Sequence, residues 1–267
     1  MRKITIAFFL ALASCTVARH AATNTNPGGD RVVTDGKIYT NAYQQSAAEY
    51  RALCFQAYNI AHLRVDEITT ITTDLPKAIV TDIDETILDN SPYEVHQIRQ
   101  RKGYDPDSWL QWSAMSAADT VPGSRQFLNY AASKGIEIFY VTNRGESERT
   151  YTLKNLQKFD FPDADSAHLF PIKNTFSKED RRQRIASGHT IMMLLGDNLG
   201  DFSCLFDTKT PAERRENVNE VALEFGNRFI VLPNPVYGDW ESSLYGYQSN
   251  LTPAQMDSAI KVSLHGY

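Results

Sequence analysis

The chain has 267 residues, of which 42% are hydrophobic and 22% are charged, and its formal net charge is −5. These values are typical of a globular protein with one sizeable domain, or with a core domain and a smaller cap. The lack of a basic excess argues against a nucleic-acid duplex as a partner, so any attraction of an anionic substrate must come from a local group of residues.

The first residues have the pattern of an export signal. Two basic residues precede the apolar run from Ile4 to Leu12, which is too short to span a bilayer as a mature helix. The sequence Leu-Ala-Ser-Cys that ends at Cys15 is similar to a bacterial lipobox. It predicts a signal peptide over residues 1–14 and a lipid on Cys15; cleavage of an ordinary secretory signal slightly later is the alternative. We therefore expect a protein of the bacterial cell envelope, at the outer membrane, held there only through this lipid anchor.

The next part of the chain changes from a tether to a helical pattern. Residues 15–36 are rich in Asn, Thr, Gly and Ala and lack periodicity, which predicts a flexible tether before a domain over residues 37–267. From Asn41 to Thr70, apolar residues recur at steps of three and four, as on one long helix or a broken pair of helices. Cys54 and Cys204 are expected to be free thiols and not a disulfide.

Beyond residue 76, short apolar strands alternate with helical segments, which predicts an α/β fold with a doubly wound, mainly parallel sheet. The predicted strands are Ala78 to Thr81, Ile136 to Val141, His168 to Pro171, Ile191 to Leu195 and Arg228 to Leu232. Segment 89–121 is too long for a loop and is interpreted as part of a smaller, mostly helical cap. The cap would also include residues 37–75 and the C-terminal segment, and the core would comprise residues 76–88 and 122–235.

Polar side chains that can do chemistry follow three of these strands. They are Asp82 and Asp84, Thr142, and Asp197 and Asp201. The carboxyl ends of parallel strands meet at one edge of a sheet, so we expect these groups to converge there. Carboxylate-rich sites bind hard cations such as Mg²⁺, and a hydroxyl with the ammonium of Lys178 suits the remaining oxygens of a phosphoryl group. The pattern therefore predicts a phosphate site with a divalent cation.

The order of these residues resembles the four motifs of the haloacid dehalogenase superfamily. The Asp-x-Asp-x-Thr motif is Asp82 to Thr86, the second motif is Thr142, and the Asp-x-x-x-Asp motif is Asp197 and Asp201. The likeness is closest to the class C nonspecific acid phosphatases, which are bacterial lipoproteins. It extends to segments 109–112, 121–123 and 232–241, and it covers nearly all of the mature chain.

The third motif of the superfamily is a lysine, for which two residues compete. Lys178 is preferred to Lys173 because it begins a predicted helix and because its distance from Asp197 along the chain suits the family better.

The resemblance implies an acid phosphatase that uses Mg²⁺ and hydrolyses small phosphomonoesters, with nucleoside monophosphates and aryl phosphates expected. Asp82 would attack phosphorus and form an aspartyl-phosphate. Asp84 would protonate the leaving oxygen and later deprotonate water. The expected phosphate ligands are Thr142, Asn143 and Lys178.

The resemblance also implies a set of magnesium ligands. They are Asp82, the backbone carbonyl of Asp84, Asp197 and Asp201. For Asp201, contact through water and orientation of Lys178 are both left open.

Three aromatic residues are candidates for contact with the leaving group, namely Tyr93, Trp109 and Tyr237. Base stacking is their expected role, with packing as the alternative for each. A non-enzymatic surface or storage lipoprotein is the alternative function, against which the presence of Asp82 argues. The sequence leaves a homodimer open.

Overall fold

The structure is a computed structural model that describes residues 32–267. The predicted signal peptide, the lipidation site Cys15 and most of the predicted tether lie outside the described residues. The helices are α1 (Val32–Ser46), α2 (Ala48–Thr69), α3 (Ser91–Arg99), α4 (Pro106–Met115), α5 (Ser124–Ser133), α6 (Arg149–Lys158), α7 (Glu179–Ala186), α8 (Pro211–Glu220), α9 (Asp239–Leu244) and α10 (Pro253–Ser263). The strands are β1 (Lys77–Thr81), β2 (Leu88–Asp89), β3 (Asp119–Thr120), β4 (Glu137–Gly145), β5 (Leu169–Ile172), β6 (Thr190–Gly196) and β7 (Phe229–Val231).

Strand β1 is the middle strand of a five-stranded sheet with the order β5-β4-β1-β6-β7. All of its pairings are parallel. The chain adds β4 and β5 on one side of β1 and then crosses to add β6 and β7 on the other, which confirms the predicted doubly wound sheet. In such sheets ligands bind at the carboxyl ends of strands where the order reverses, here the ends of β1, β4 and β6.

The apolar run of β1 is explained by burial on both faces. Successive side chains of a strand point to opposite faces. Ile79 belongs to a core cluster that includes Phe127 of α5 and residues of α2. Val80 belongs to a second cluster on the other face, with Ile185 of α7. Helices therefore cover both sides of the sheet, as its unbroken hydrophobic sequence requires.

Helix α2 lies in this core layer, which corrects its assignment to the cap. One face of it is buried in the same cluster as Ile79, and the helix contacts α5 and β7. The break between α1 and α2 is at Ala47, whose backbone is extended. Helix α1 begins at Val32, so the last residues of the predicted tether are helical.

Segment 89–121 contains α3 and α4, and the short antiparallel pair of β2 with β3 lies at its two ends. We call α3, α4 and the loop between them the cap. Helix α4 begins at an N-cap, where the carboxylate of Asp105 accepts the N–H of Ser108 at 2.9 Å and Pro106 occupies the first turn. Helix α4 also contacts α6, so the cap lies over the end of β4.

Two further observations concern the described residues. Cys54 is buried, Cys204 is exposed, and both are free thiols in the described residues. Among residues 32–267, none of the helices combines the length and the apolar character needed to cross a bilayer.

Candidate active site

Three carboxylates converge at the carboxyl edge of the sheet. One oxygen each of Asp82, Asp197 and Asp201 lies within 4.8 Å of the others. Asp82 directly follows β1, and its backbone N–H donates to the carbonyl of Leu195 in β6 at 2.9 Å. Asp197 directly follows β6. The end of β6 must be glycine, because a Cβ atom on Gly196 would overlap the side chain of Asp201.

Hydrogen bonds hold two of these carboxylates in place. Asp201 lies in a short 3-10 turn, and its Oδ2 atom accepts the backbone N–H of Asn198 at 2.9 Å. Asp197 accepts the Thr86 hydroxyl at 3.1 Å on Oδ1 and the Asn234 amide at 2.7 Å on Oδ2. The cluster is therefore ordered by three separate loops of the fold.

Lys178 lies in the middle of the cluster, immediately before α7. Its buried ammonium lies 2.6 Å from Oδ1 of Asp201 and also forms an ion pair with Asp82. Lys173, the competing candidate for the third motif, is exposed. The structure thus brings Lys178, and not Lys173, to the carboxylates.

Burial and crowding change the ionisation of the cluster. Burial raises the pKa of Asp82 to about 7, with additional repulsion from Asp201 and Asp84, even though Lys178 opposes the shift. Burial together with Asp201 and Asp82 raises the pKa of Asp197 well above its ordinary value. Burial lowers the pKa of Lys178, but the attraction of Asp201 and Asp82 outweighs it and the net pKa is raised. When all three acids are ionised, one ammonium offsets only part of their negative charge.

The donor set fits a hard divalent cation. Buried carboxylate oxygens are the ligands that Mg²⁺ prefers, and a second positive charge would remove the repulsion that raises their pKa values. Asp84 is not part of this cluster through its side chain. Contact of its backbone carbonyl with a metal ion stays an expectation from the family resemblance.

The side chain of Asp84 instead faces the buried guanidinium of Arg144. Nη2 of Arg144 donates to Oδ1 at 2.7 Å, and Nε donates to Oδ1 at 3.0 Å and to Oδ2 at 3.2 Å. The amide of Asn90 also donates to Oδ1 at 2.8 Å. Burial lowers the pKa of Arg144, but the combined attraction of Asp84, Glu148 and Glu85 outweighs it and the net pKa is raised. Oδ1 thus accepts three hydrogen bonds and Oδ2 only one long one.

Thr142 lies inside β4 and not after it, because this strand continues to Gly145. Its pairing with β5 is irregular between Val141 and Gly145, which frees Thr142 and Asn143 from regular pairing. Arg181 of α7 fixes this stretch by donating to the carbonyl of Thr142 at 2.5 Å and to Oδ1 of Asn143 at 2.7 Å. Asn143 as a whole is exposed.

The candidate aromatic residues differ in exposure. Tyr93 is only 2% exposed, and its hydroxyl accepts the backbone N–H of Asp105 at 3.1 Å. It cannot stack on a substrate as predicted, because Trp109 covers it in an edge-on contact with ring centroids 5.1 Å apart. Trp109 is partly exposed and lies over the guanidinium of Arg144, 5.4 Å from the ring centroid. Exposed Tyr104 lies 6.2 Å from Trp109.

Tyr237, the third candidate, has its hydroxyl engaged. It donates to the carboxylate of Glu85, which is fully buried. Burial, with repulsion from Asp84, raises the pKa of Glu85 well above its ordinary value. The Tyr237 ring is partly exposed, so it links the last loop to the first motif while one part of it remains accessible.

Several polar residues of the site had no role in the sequence interpretation. They are Glu85, Asn90, Arg144, Arg181 and Asn234. Most of them lie within or next to the motif segments, so their position along the chain was a usable signal. Asn234 lies 37 residues from its partner Asp197 along the chain, and Arg144 lies 60 residues from its partner Asp84. Only the fold shows that these pairs are in contact.

Comparison with known proteins agrees with this geometry. The family model described as HAD superfamily, subfamily IIIB (Acid phosphatase) matches residues 3–240. Two solved structures of the class C acid phosphatase from Bacillus anthracis, one with tungstate bound, are each 37% identical to the chain with a TM-score of 0.85. Each match covers 88% of this chain and 99% of the Bacillus protein.

A more distant relative is acid phosphatase 1 of Solanum lycopersicum, which is 23% identical over 164 residues. That match covers 59% of this chain and 57% of the plant protein, so the chain spans a little over half of that relative's length. The Bacillus anthracis and Solanum lycopersicum proteins are both named as acid phosphatases. The chain belongs to the acid phosphatases of HAD subfamily IIIB and is a class C acid phosphatase in sequence and fold.

Proposed function

We propose that this acid phosphatase hydrolyses small phosphomonoesters, nucleoside monophosphates and aryl phosphates among them, through a phosphorylated Asp82. The observation that carries the proposal is the convergence of Asp82 with Lys178, Asp197 and Asp201 at one edge of the sheet. A buried carboxylate beside a buried ammonium combines a nucleophile with a group that can hold phosphoryl oxygens.

Mg²⁺ is the cation that we propose for this cluster. The side chains of Asp82 and Asp197 would hold it, with the backbone carbonyl of Asp84 added by the family resemblance and Asp201 in direct or water-mediated contact. When bound, the cation would keep Asp82 ionised and withdraw charge from the phosphoryl oxygens.

The residues of this chain then divide the reaction between them. The carboxylate of Asp82 attacks phosphorus, the bond from phosphorus to the ester oxygen breaks, and Asp84 gives its proton to that oxygen. In the second half, Asp84 takes a proton from water while the water oxygen attacks phosphorus. The bond from phosphorus to Asp82 breaks, and inorganic phosphate leaves.

The hydrogen bonds of Asp84 favour one of its oxygens for this proton. Oδ1 accepts from both Arg144 and Asn90, whereas Oδ2 accepts one bond at 3.2 Å. Oδ2 is therefore the atom with capacity to hold and transfer a proton. Meanwhile Lys178, the Thr142 hydroxyl and the Asn143 amide would bind the phosphoryl oxygens.

The cap supplies the proposed surface for the leaving group. Trp109 is partly exposed, and Arg144 links it directly to Asp84. A planar nucleobase or aryl group stacked on Trp109 would place its ester oxygen near the proton donor. Tyr237 is the second proposed contact, whereas Tyr93 is proposed to support Trp109 from beneath.

The test is a substrate panel measured with the wild type and Asp82→Asn, each with Mg²⁺ and with EDTA. We expect Asp82→Asn to be inactive on every phosphomonoester and the wild type to be silenced by EDTA until Mg²⁺ is restored. Full activity of Asp82→Asn, under conditions that exclude deamidation, would rule out the covalent route.

A further inference from the structure

Asn90 lies where the loop after β1 enters the cap, and its side chain is fully buried. Its Nδ2 atom donates to Oδ1 of Asp84 at 2.8 Å. Its Oδ1 atom accepts the indole N–H of Trp112 at 2.9 Å and a contact from Nη2 of Arg144 at 3.4 Å. Its backbone N–H donates to Glu85 at 2.8 Å. One residue therefore joins the cap to the first motif.

The two partners of the Asn90 oxygen determine which way its amide points. The indole of Trp112 and the guanidinium of Arg144 can only donate hydrogen bonds. The amide oxygen must therefore face them, and the NH₂ group must face Asp84. A rotated amide would place two donors against two donors inside a buried site, at a cost of about 1–3 kcal/mol for each unsatisfied group.

Asn90 also controls how Arg144 pairs with Asp84. A guanidinium and a carboxylate prefer a bidentate pair in which both oxygens accept. Here the two oxygens of Asp84 are not used equally. Its two shortest contacts are both on Oδ1, one with Nη2 of Arg144 at 2.7 Å and one with Asn90 at 2.8 Å. Without the Asn90 donor, nothing opposes a symmetric pair, which would engage Oδ2 as fully as Oδ1.

We infer that Asn90 is a positioning residue for the proton transfer, which keeps Oδ2 of Asp84 free and directed toward the leaving oxygen. Trp112 acts indirectly, because its indole N–H fixes the orientation of the Asn90 amide. This inference rests on the proposed role of Asp84 as acid and base. Because Trp112 lies on α4, the inference gives the cap a second role in catalysis, in addition to contact with the leaving group.

The experiment compares kcat/KM for glycerol phosphate and for p-nitrophenyl phosphate, since this constant reports the steps up to departure of the leaving group. For Asn90→Ala we expect a fall of about 10- to 100-fold with glycerol phosphate, whose alkoxide needs the proton. With p-nitrophenyl phosphate, whose leaving group needs little help, the fall should stay below about threefold. Trp112→Phe removes one N–H and keeps a ring. It should change the ratio of kcat/KM for glycerol phosphate to kcat/KM for p-nitrophenyl phosphate by about two- to tenfold.

Asn155 provides the matched control. It is also a buried asparagine, and it bonds both backbone groups of Ala118 at 2.9 and 3.1 Å without contact to the site. Asn155→Ala should lower the melting temperature and leave the ratio of the two substrates unchanged. If Asn90→Ala merely behaves in this way, the inference is wrong.

A double-mutant cycle separates this inference from the proposed function. If Asn90 acts through Asp84, adding Asn90→Ala to Asp84→Asn should not change the substrate ratio further. Additive effects would overturn the positioning role. A loss in Asp84→Asn that is equal for both substrates would overturn the acid role itself, and the inference with it. A leaving-group dependence in Asp84→Asn but not in Asn90→Ala would overturn the inference alone.

Discussion

The ammonium of Lys178 bridges Asp201, at 2.6 Å, and Asp82, so a single buried cation offsets part of the charge of two acids from different loops. Asp82 follows β1 and Asp201 follows β6, and Lys178 comes from a third segment, immediately before α7. Loss of this ammonium would leave buried carboxylates without a partner, which is among the most costly changes a fold can undergo.

Lys178→Met should therefore reduce both activity and stability. We expect kcat/KM to fall by at least about 100-fold, because a preorganised donor to the phosphoryl oxygens is removed. Without Mg²⁺, the free energy of unfolding should fall by about 3–5 kcal/mol at neutral pH. Lys173→Met is the matched control and should change neither quantity, because Lys173 is exposed. Similar losses in the two variants would show that the wrong role has been given to Lys178.

The sequence predicted much of this site because its main residues are placed by a topological rule. Strands β1 and β6 are buried on both faces, so their unbroken apolar runs are visible in the sequence. The first polar residues after them, Asp82 and Asp197, must then lie at one edge of the sheet. Thr142 was predicted for the same edge, although β4 continues past it.

The features that the sequence did not predict depend on contacts between segments that are far apart along the chain. The pairing of Arg144 with Asp84 joins residues 60 positions apart, and no periodicity indicates it. The burial of Tyr93 depends on how α3 packs under Trp109. Likewise, the face of α2 has the same pattern whether it covers a cap or a sheet, which is why that helix was assigned to the wrong layer.

The thermal stability of the protein should depend on pH when Mg²⁺ is absent, and bound Mg²⁺ should remove this dependence. Burial and mutual repulsion raise the pKa of Asp82 to about 7 and that of Asp197 well above its ordinary value. Between the unfolded pKa, about 3.9, and the raised folded value, the native state binds more protons than the unfolded state. These groups therefore make the metal-free protein less stable as pH rises through this interval, up to about pH 7 for Asp82.

Melting temperatures at pH 5 and pH 7.5, each with EDTA and with Mg²⁺, check this prediction. Mg²⁺ at a hundred times its dissociation constant should add about 2.7 kcal/mol to the free energy of unfolding. Its effect should be larger at pH 7.5, where the acids are ionised, than at pH 5. Asp82→Asn should reduce the pH dependence measured with EDTA. An equal effect of Mg²⁺ at both pH values would contradict the proposed cation site.

The lipid anchor is a separate prediction about a residue outside the described range. Cys15→Ser should abolish labelling by a fatty-acid analogue and should move the protein from the membrane fraction to the soluble fraction, because a chain anchored only by lipid has no other membrane contact. Phosphatase activity should be unchanged, which serves as the control for folding. Labelling that persists in Cys15→Ser would mean that the lipobox was misinterpreted.

The last prediction concerns the choice of leaving group by the cap. Trp109 has an accessible ring above Arg144, and its indole N–H donates to Glu148 at 2.9 Å, which fixes the ring plane. Stacking of a nucleobase on an aromatic ring contributes about 1–3 kcal/mol. Trp109→Ala should therefore lower kcat/KM for AMP by about ten- to a hundredfold, and it should lower kcat/KM for glycerol phosphate much less.

Trp109→Phe is the matched variant for this test. It keeps a ring over Arg144 and loses only the bond to Glu148, so AMP turnover should remain within about fivefold of the wild type, the scale of one hydrogen bond. Tyr93→Phe, at a buried position, should affect the two substrates alike. If Trp109→Ala lowers kcat/KM equally for AMP and glycerol phosphate, with an unchanged melting temperature, then Trp109 supports Arg144 and does not recognise the base.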